Sequence, residues 1–187
     1  MTQIKVVGFD PGKTTGFAEM NGDSEDRFGS GNWDVKLKEF GLLDAYKAGL
    51  EFVEEGSSVF LPASAEQWWQ ECALAGISFA MYAYGLEADL VVIEDYILRP
   101  SAAAEGIGGR DAIIPVAITG SLVNMHMQMC ATPVMFSSPS AKAVMDNGKL
   151  KRWFGEDVGK GKPHGMDALR HCCLGIRKMR TVINWNQ

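Results

Sequence analysis

The chain has 187 residues, 47% of them hydrophobic and 22% charged, with a formal net charge of −5. That length suits one domain, residues 1–187, with apolar material for a substantial core and no tract hydrophilic enough to stay disordered. No apolar run approaches the roughly 18 residues that span a bilayer, and MTQIKVVGFD leads straight into a strand pattern rather than a secretory leader, so a membrane protein is excluded and a cytoplasmic one is expected.

Ile4 to Phe9 (IKVVGF) is a short, β-branched, apolar run and predicts a central strand. Asp10-Pro11-Gly12 ends it, and Pro followed by Gly favours a type II turn. Thr14 to Met20 reads as the returning strand of a hairpin, residues 21–26 (NGDSED) as a polar turn, and Arg27 to Lys38 as a third strand. Residues 40–55 are mixed and partly helical in pattern. A helix opens at Pro62 with Ser64 as its N-cap, its buried stripe carried by Trp68, Cys72, Ile77, Met81 and Tyr84. Asp89 to Glu94 (DLVVIE) is the second strongly apolar strand. Residues 99–111 are small and glycine-rich and read as a loop. Ala112 to Met129 forms a helix, Thr132 to Phe136 a short strand, Lys142 to Lys162 a basic, loop-rich stretch, and Pro163 to Arg180 a final helix with proline at its start. An antiparallel hairpin followed by β-α-β units predicts an α/β fold: a mixed five-stranded sheet, antiparallel strands plus parallel ones, flanked by helices.

Charge is unevenly spread. Residues 142–180 hold ten Lys/Arg against four acids, so that stretch is +6 and the remainder −11. Such a split fits a phosphate-facing surface as well as a solvated helix face. Lys13, Lys149, Lys151, Arg152, Lys160 and Lys162 are the candidates for phosphate contact. The four cysteines (Cys72, Cys130, Cys172, Cys173) form no C-x-x-C pair and are expected to be free, mostly buried thiols in a reducing compartment.

Three acids occupy informative places. Asp10 ends the first strand and Glu94 the strand after the first long helix; ligands of α/β sheets collect beyond such strand ends. If those strands are parallel neighbours, about 4.8 Å apart, both carboxylates can reach one ion. Asp167 follows His164 by three residues on the last helix, which puts the two on one helix face. Clustered carboxylates repel unless a cation neutralises them, and oxygen ligands select Mg²⁺, with Mn²⁺ as a substitute. Two such ions would activate a water and stabilise the leaving oxygen in phosphodiester hydrolysis.

Together GFDPGKTTGFA, VVIED and PHGMDALRH resemble the RuvC-type Holliday junction resolvases of the RNase H-like, retroviral-integrase superfamily, phage members in particular. The likeness in order and spacing runs from residue 4 to about 180. It implies an RNase H-like sheet; Asp10, Glu94, His164 and Asp167 as catalytic metal ligands; Tyr96 as an aromatic stacking at the junction centre; and a homodimer that nicks four-way DNA junctions symmetrically. Forks, flaps and RNA–DNA hybrids are alternative substrates for the same chemistry, and a non-catalytic junction binder is an alternative of another class.

Competing readings of single motifs are weaker. Asp10 alone is a common turn residue. The run from Gly8 to Thr14 lacks one residue of a P-loop and precedes a strand rather than a helix. An actin-like phosphate loop needs a second domain that this length does not supply. The Met-rich end of the helix at 118–129 suits a core or a dimer interface. Asp95 is expected to face solvent or cap a helix, and His126 and His171 to be structural.

Overall fold

A computed structural model of the chain describes residues 2–24, 34–45, 47–49, 74–95, 110–129, 132–138 and 140–183. Strands β1 (Thr2–Asp10), β2 (Thr14–Ser24), β3 (Asp34–Asp44), β4 (Leu90–Glu94) and β5 (Val134–Ser137) form one sheet in the order β3-β2-β1-β4-β5. The first three are antiparallel, while β1–β4 and β4–β5 are parallel. Helices α1 (Leu74–Gly85), α2 (Arg110–Met129), α3 (Ala141–Val144), α4 (Asn147–Phe154) and α5 (Pro163–Ile183) complete the described elements. The expected mixed five-stranded sheet flanked by helices is therefore present.

β1 is central because both its faces are apolar. Ile4 and Val6 face a core shared with Ala18, Met20, Leu90, Val92 and the α5 residues Leu169, Cys172 and Ile176. Val7 and Phe9 face the opposite core, with Val91, Ile93 and residues of α1 and α2, including Ile77, Met81, Ile118 and Leu122. Alternation along a strand thus sends successive residues to α5 or to the α1–α2 layer. Helix α5 lies so close to the sheet that only glycine fits beneath it. A Cβ on Gly8 would sit 2.5 Å from the Ala168 carbonyl oxygen, and one on Gly16 would overlap the His164 carbonyl.

Several boundaries differ from expectation. β2 runs on to Ser24, because Asn21, Gly22 and Asp23 pair with β1 on one side and β3 on the other; ladder bonds outweigh the turn propensity of NGDS. β3, described from Asp34, continues to Asp44, past the predicted end at Lys38, with an irregularity opposite Glu19 and Met20; its predicted start at Arg27 lies outside the described residues. The turn after Asp10 is not type II. Gly12 lacks positive φ; instead the Thr15 hydroxyl accepts from Gly12 N at 3.2 Å and donates to Gly12 O at 2.8 Å. The basic stretch 142–162 contains all of α4 and most of α3. Asp146 caps α4 by accepting from Lys149 N at 2.9 Å, and Gly155, at φ +100°, ends it. The predicted helix start at Pro62 and Ser64, Trp68, Cys72 and the loop at 99–109 lie outside the described residues. No helix among the described residues is long and apolar enough to cross a membrane.

Candidate active site

Strand register brings the first two acids together. Phe9 pairs with Ile93 across the parallel β1–β4 ladder, so Asp10 and Glu94 follow side by side, both on the α5 face. Asp10 is 8% exposed, and Glu94 lies opposite the buried Ser137 of β5. Across from them, His164, Asp167 and His171 occupy one stripe of α5 at i, i+3 and i+7. The two histidines at the ends of the stripe meet the carboxylates. His164 Nδ1 is 2.7 Å from Asp10 Oδ2, and His171 Nε2 is 3.6 Å from Glu94 Oε2.

Asp167, in the middle of the stripe, has other partners. Its Oδ1 accepts from a guanidinium nitrogen of Arg170, and its Oδ2 is 2.7 Å from Lys142 Nζ. Arg170 is buried; its Nε donates to Met145 O at 2.9 Å and another of its nitrogens donates to Asn147 Oδ1. Among the described residues no three His, Cys, Asp or Glu side chains converge on a single metal position. The donor set that fits a divalent cation is thus the Asp10–Glu94 pair. Mg²⁺ commonly takes one or two carboxylates and fills its remaining positions with water and substrate phosphate.

Burial and proton sharing make the pair unusual. Burial, reinforced by a hydrogen bond with Glu94 and opposed by His164, raises Asp10 from 3.8 to about 7. Glu94 is lowered from 4.5 to about 2, chiefly by the His171 imidazole, against the effect of burial. Shifts in these opposite directions would leave one proton on the pair below about pH 7. An unfolded chain would release both protons near pH 4, whereas the folded pair keeps one until about 7. In EDTA, stability is therefore expected to fall as pH rises from about 5 to 7 and then to level off, since the folded state binds the extra proton in that window. Urea midpoints across this range should show the slope, and Asp10→Asn should flatten it.

The candidate phosphate contacts are dispersed. Lys13 is exposed beside the Asp10 turn, with its carbonyl accepting from Ala45 N at 3.0 Å. Lys151 and Lys160 line an open groove of about 860 Å³ together with Lys142, Asn147, Asp167 and Arg170. Lys149 and Arg152 are exposed on other sides of α4, and Lys162 Nζ lies 5.1 Å above the Phe40 ring. Tyr96 lies outside the described residues. Sequence reasoning missed the role of three residues here. His171 was legible as i+7 from His164 and Arg170 as i+3 from Asp167, but Lys142 carried no signal beyond its charge. Asp95 is exposed as expected, and His126 is buried against Tyr82, with ring centroids 5.4 Å apart.

The strand order β3-β2-β1-β4-β5, with two carboxylates at the ends of β1 and β4 beneath a C-terminal helix, is a fold shared with solved Holliday junction resolvases. Among solved structures, T. thermophilus RuvC in complex with a Holliday junction substrate superposes with a TM-score of 0.56 at 11% identity, over 98% of this chain and 95% of that one. The yeast mitochondrial Holliday junction resolvase Ydc2 superposes with a TM-score of 0.54 at 11% identity, over 97% and 86%. At such identity the likeness is one of fold. No family model matches the chain, and no curated protein does.

Proposed function

We propose that this protein is a divalent-metal-dependent endodeoxyribonuclease that resolves four-way DNA junctions by paired nicks, acting as a homodimer. The observation that carries the reading is the pairing of buried Asp10 with half-buried Glu94 at adjacent parallel strand ends, on a fold shared with junction resolvases. Two carboxylates side by side, one buried and one half-buried, are costly to a fold that uses them only for structure, which weighs against a purely DNA-binding protein. A Mg²⁺ or Mn²⁺ held by this pair would act as a Lewis acid on the scissile phosphate and lower the pKa of its water.

The chain's own groups supply the rest. His164, bonded to Asp10, fixes the orientation of that carboxylate. Asp167 completes the set of acids, and a second ion requires its participation. Lys142, Lys151, Lys160 and Arg170 outnumber Glu156, Asp157 and Asp167 in the groove lining by one charge, and the three lysines are the groove's candidates for a phosphodiester backbone; Lys13, Lys149, Arg152, Lys162 and Tyr96 are further candidates for DNA contact. A cytoplasmic setting suits the buried free thiols Cys172 and Cys173.

Labelled four-way junction, 5′-flap and RNA–DNA hybrid substrates separate this reading from its relatives. Paired nicks at symmetric positions in the junction, with little cutting of the other two, are expected. Preferential cutting of the flap or the hybrid would keep the nuclease and reject the resolvase.

A further inference from the structure

The two oxygens of Asp167 are held in different ways. Oδ1 belongs to Arg170, whose guanidinium is buried and also satisfies Met145 O and Asn147 Oδ1, so this contact ties α5 to the corner between α3 and α4. A buried guanidinium deprived of its carboxylate would be strongly destabilising, which makes that anchor permanent. Oδ2 belongs to Lys142, whose side chain is 66% exposed and lines the open groove. An ion pair at such an exposed lysine is weak and easily exchanged. Lys142 also contributes to holding down Glu94, so its charge reaches the carboxylate pair as well as the groove.

We infer that Lys142 is a positioning residue: it caps Asp167 Oδ2, and a DNA phosphate entering the groove draws the ammonium away and frees that oxygen for the Asp10–Glu94 centre. Arg170 meanwhile keeps the carboxylate in place through Oδ1. Substrate backbone and metal ion are thereby coupled through one lysine. The inference rests on the metal reading proposed above.

Mn²⁺ affinity, read from the electron paramagnetic resonance signal of the free ion, tests it. Lys142→Gln is expected to tighten Mn²⁺ by about fivefold or more, and the same substitution in an Asp167→Asn background is expected to change nothing. An equal gain in both backgrounds would mean that Lys142 acts only through its field, and no gain in either would mean that it does not cap the site; each overturns the inference. By linkage, Mn²⁺ should strengthen binding of a labelled linear duplex, measured by anisotropy, to the wild-type protein and not to Lys142→Gln; equal strengthening in both also overturns it. If the wild-type protein takes up no Mn²⁺, or Asp10→Asn leaves uptake intact, it is the metal reading itself that has failed.

Discussion

Asp10→Asn and Glu94→Gln are each expected to reduce junction cleavage in saturating Mg²⁺ by roughly 10³-fold or more, several kcal/mol of transition-state stabilisation, while junction affinity changes only a few-fold. Each substitution preserves shape and removes a charge. The pair is where a cation would sit, because the parallel register of β1 and β4 places both groups on one face with little water around Asp10. On the proposed reading phosphate contacts would lie elsewhere, on the exposed lysines of the groove, so binding should survive. The fold should survive too, since each amide keeps the shape of the acid it replaces and can still hydrogen-bond its neighbour. Single-turnover cleavage of a labelled junction beside a native-gel titration measures both quantities. Retention of more than about a tenth of the wild-type rate by either variant would remove the pair from the chemistry.

Gly16→Ala is expected to destabilise the protein by about 3 kcal/mol and to lower cleavage further than the loss of stability explains. The added Cβ would overlap the backbone carbonyl of His164, and neither the β2 backbone nor the first turn of α5 can rotate away as a side chain would. Relief requires α5 to lift from the sheet at the end that carries His164, which breaks its 2.7 Å contact with Asp10. Gly120→Ala is the contrasting case. That glycine lies within α2 and nothing is within 4 Å of the Cβ position, so the substitution should stabilise by about 0.5–1 kcal/mol through helix propensity. Chemical denaturation of the two variants gives the comparison; a Gly16→Ala midpoint equal to that of the wild type would show that α5 and β2 are not in such close contact.

The sheet was legible because its strands have distinct periodicities. IKVVGF and DLVVIE are apolar on both faces, which only the middle of a sheet accommodates, and each ends on an acid. Asp10 and Glu94 were therefore readable as strand-end carboxylates before any contact was known. The edge of the sheet was less legible. β2 extends through Asn21 to Ser24, whose intrinsic preference is for turns, and its pairing with β1 and β3 holds them as strand. Asp-Pro-Gly suggested a turn type that the Thr15 hydroxyl overrides by bonding both polar groups of Gly12. Helix α4 was hidden in a run that looked merely basic, because its stability comes from burying Leu150 in the α5-side core and from the Asp146 cap.

By itself the sequence determined the order of the elements, the acids at two strand ends and the shared helix face of His164 and Asp167, because these depend on spacing along one strand or one helix. The tertiary structure alone decided what each member of the α5 stripe touches. His171 meets Glu94 because α5 crosses the sheet over the end of β4, and Asp167 turns to Arg170 and Lys142 because the corner between α3 and α4 packs beside it. A carboxylate goes to whichever positive charge the packing brings nearest, and no spacing along the chain specifies that.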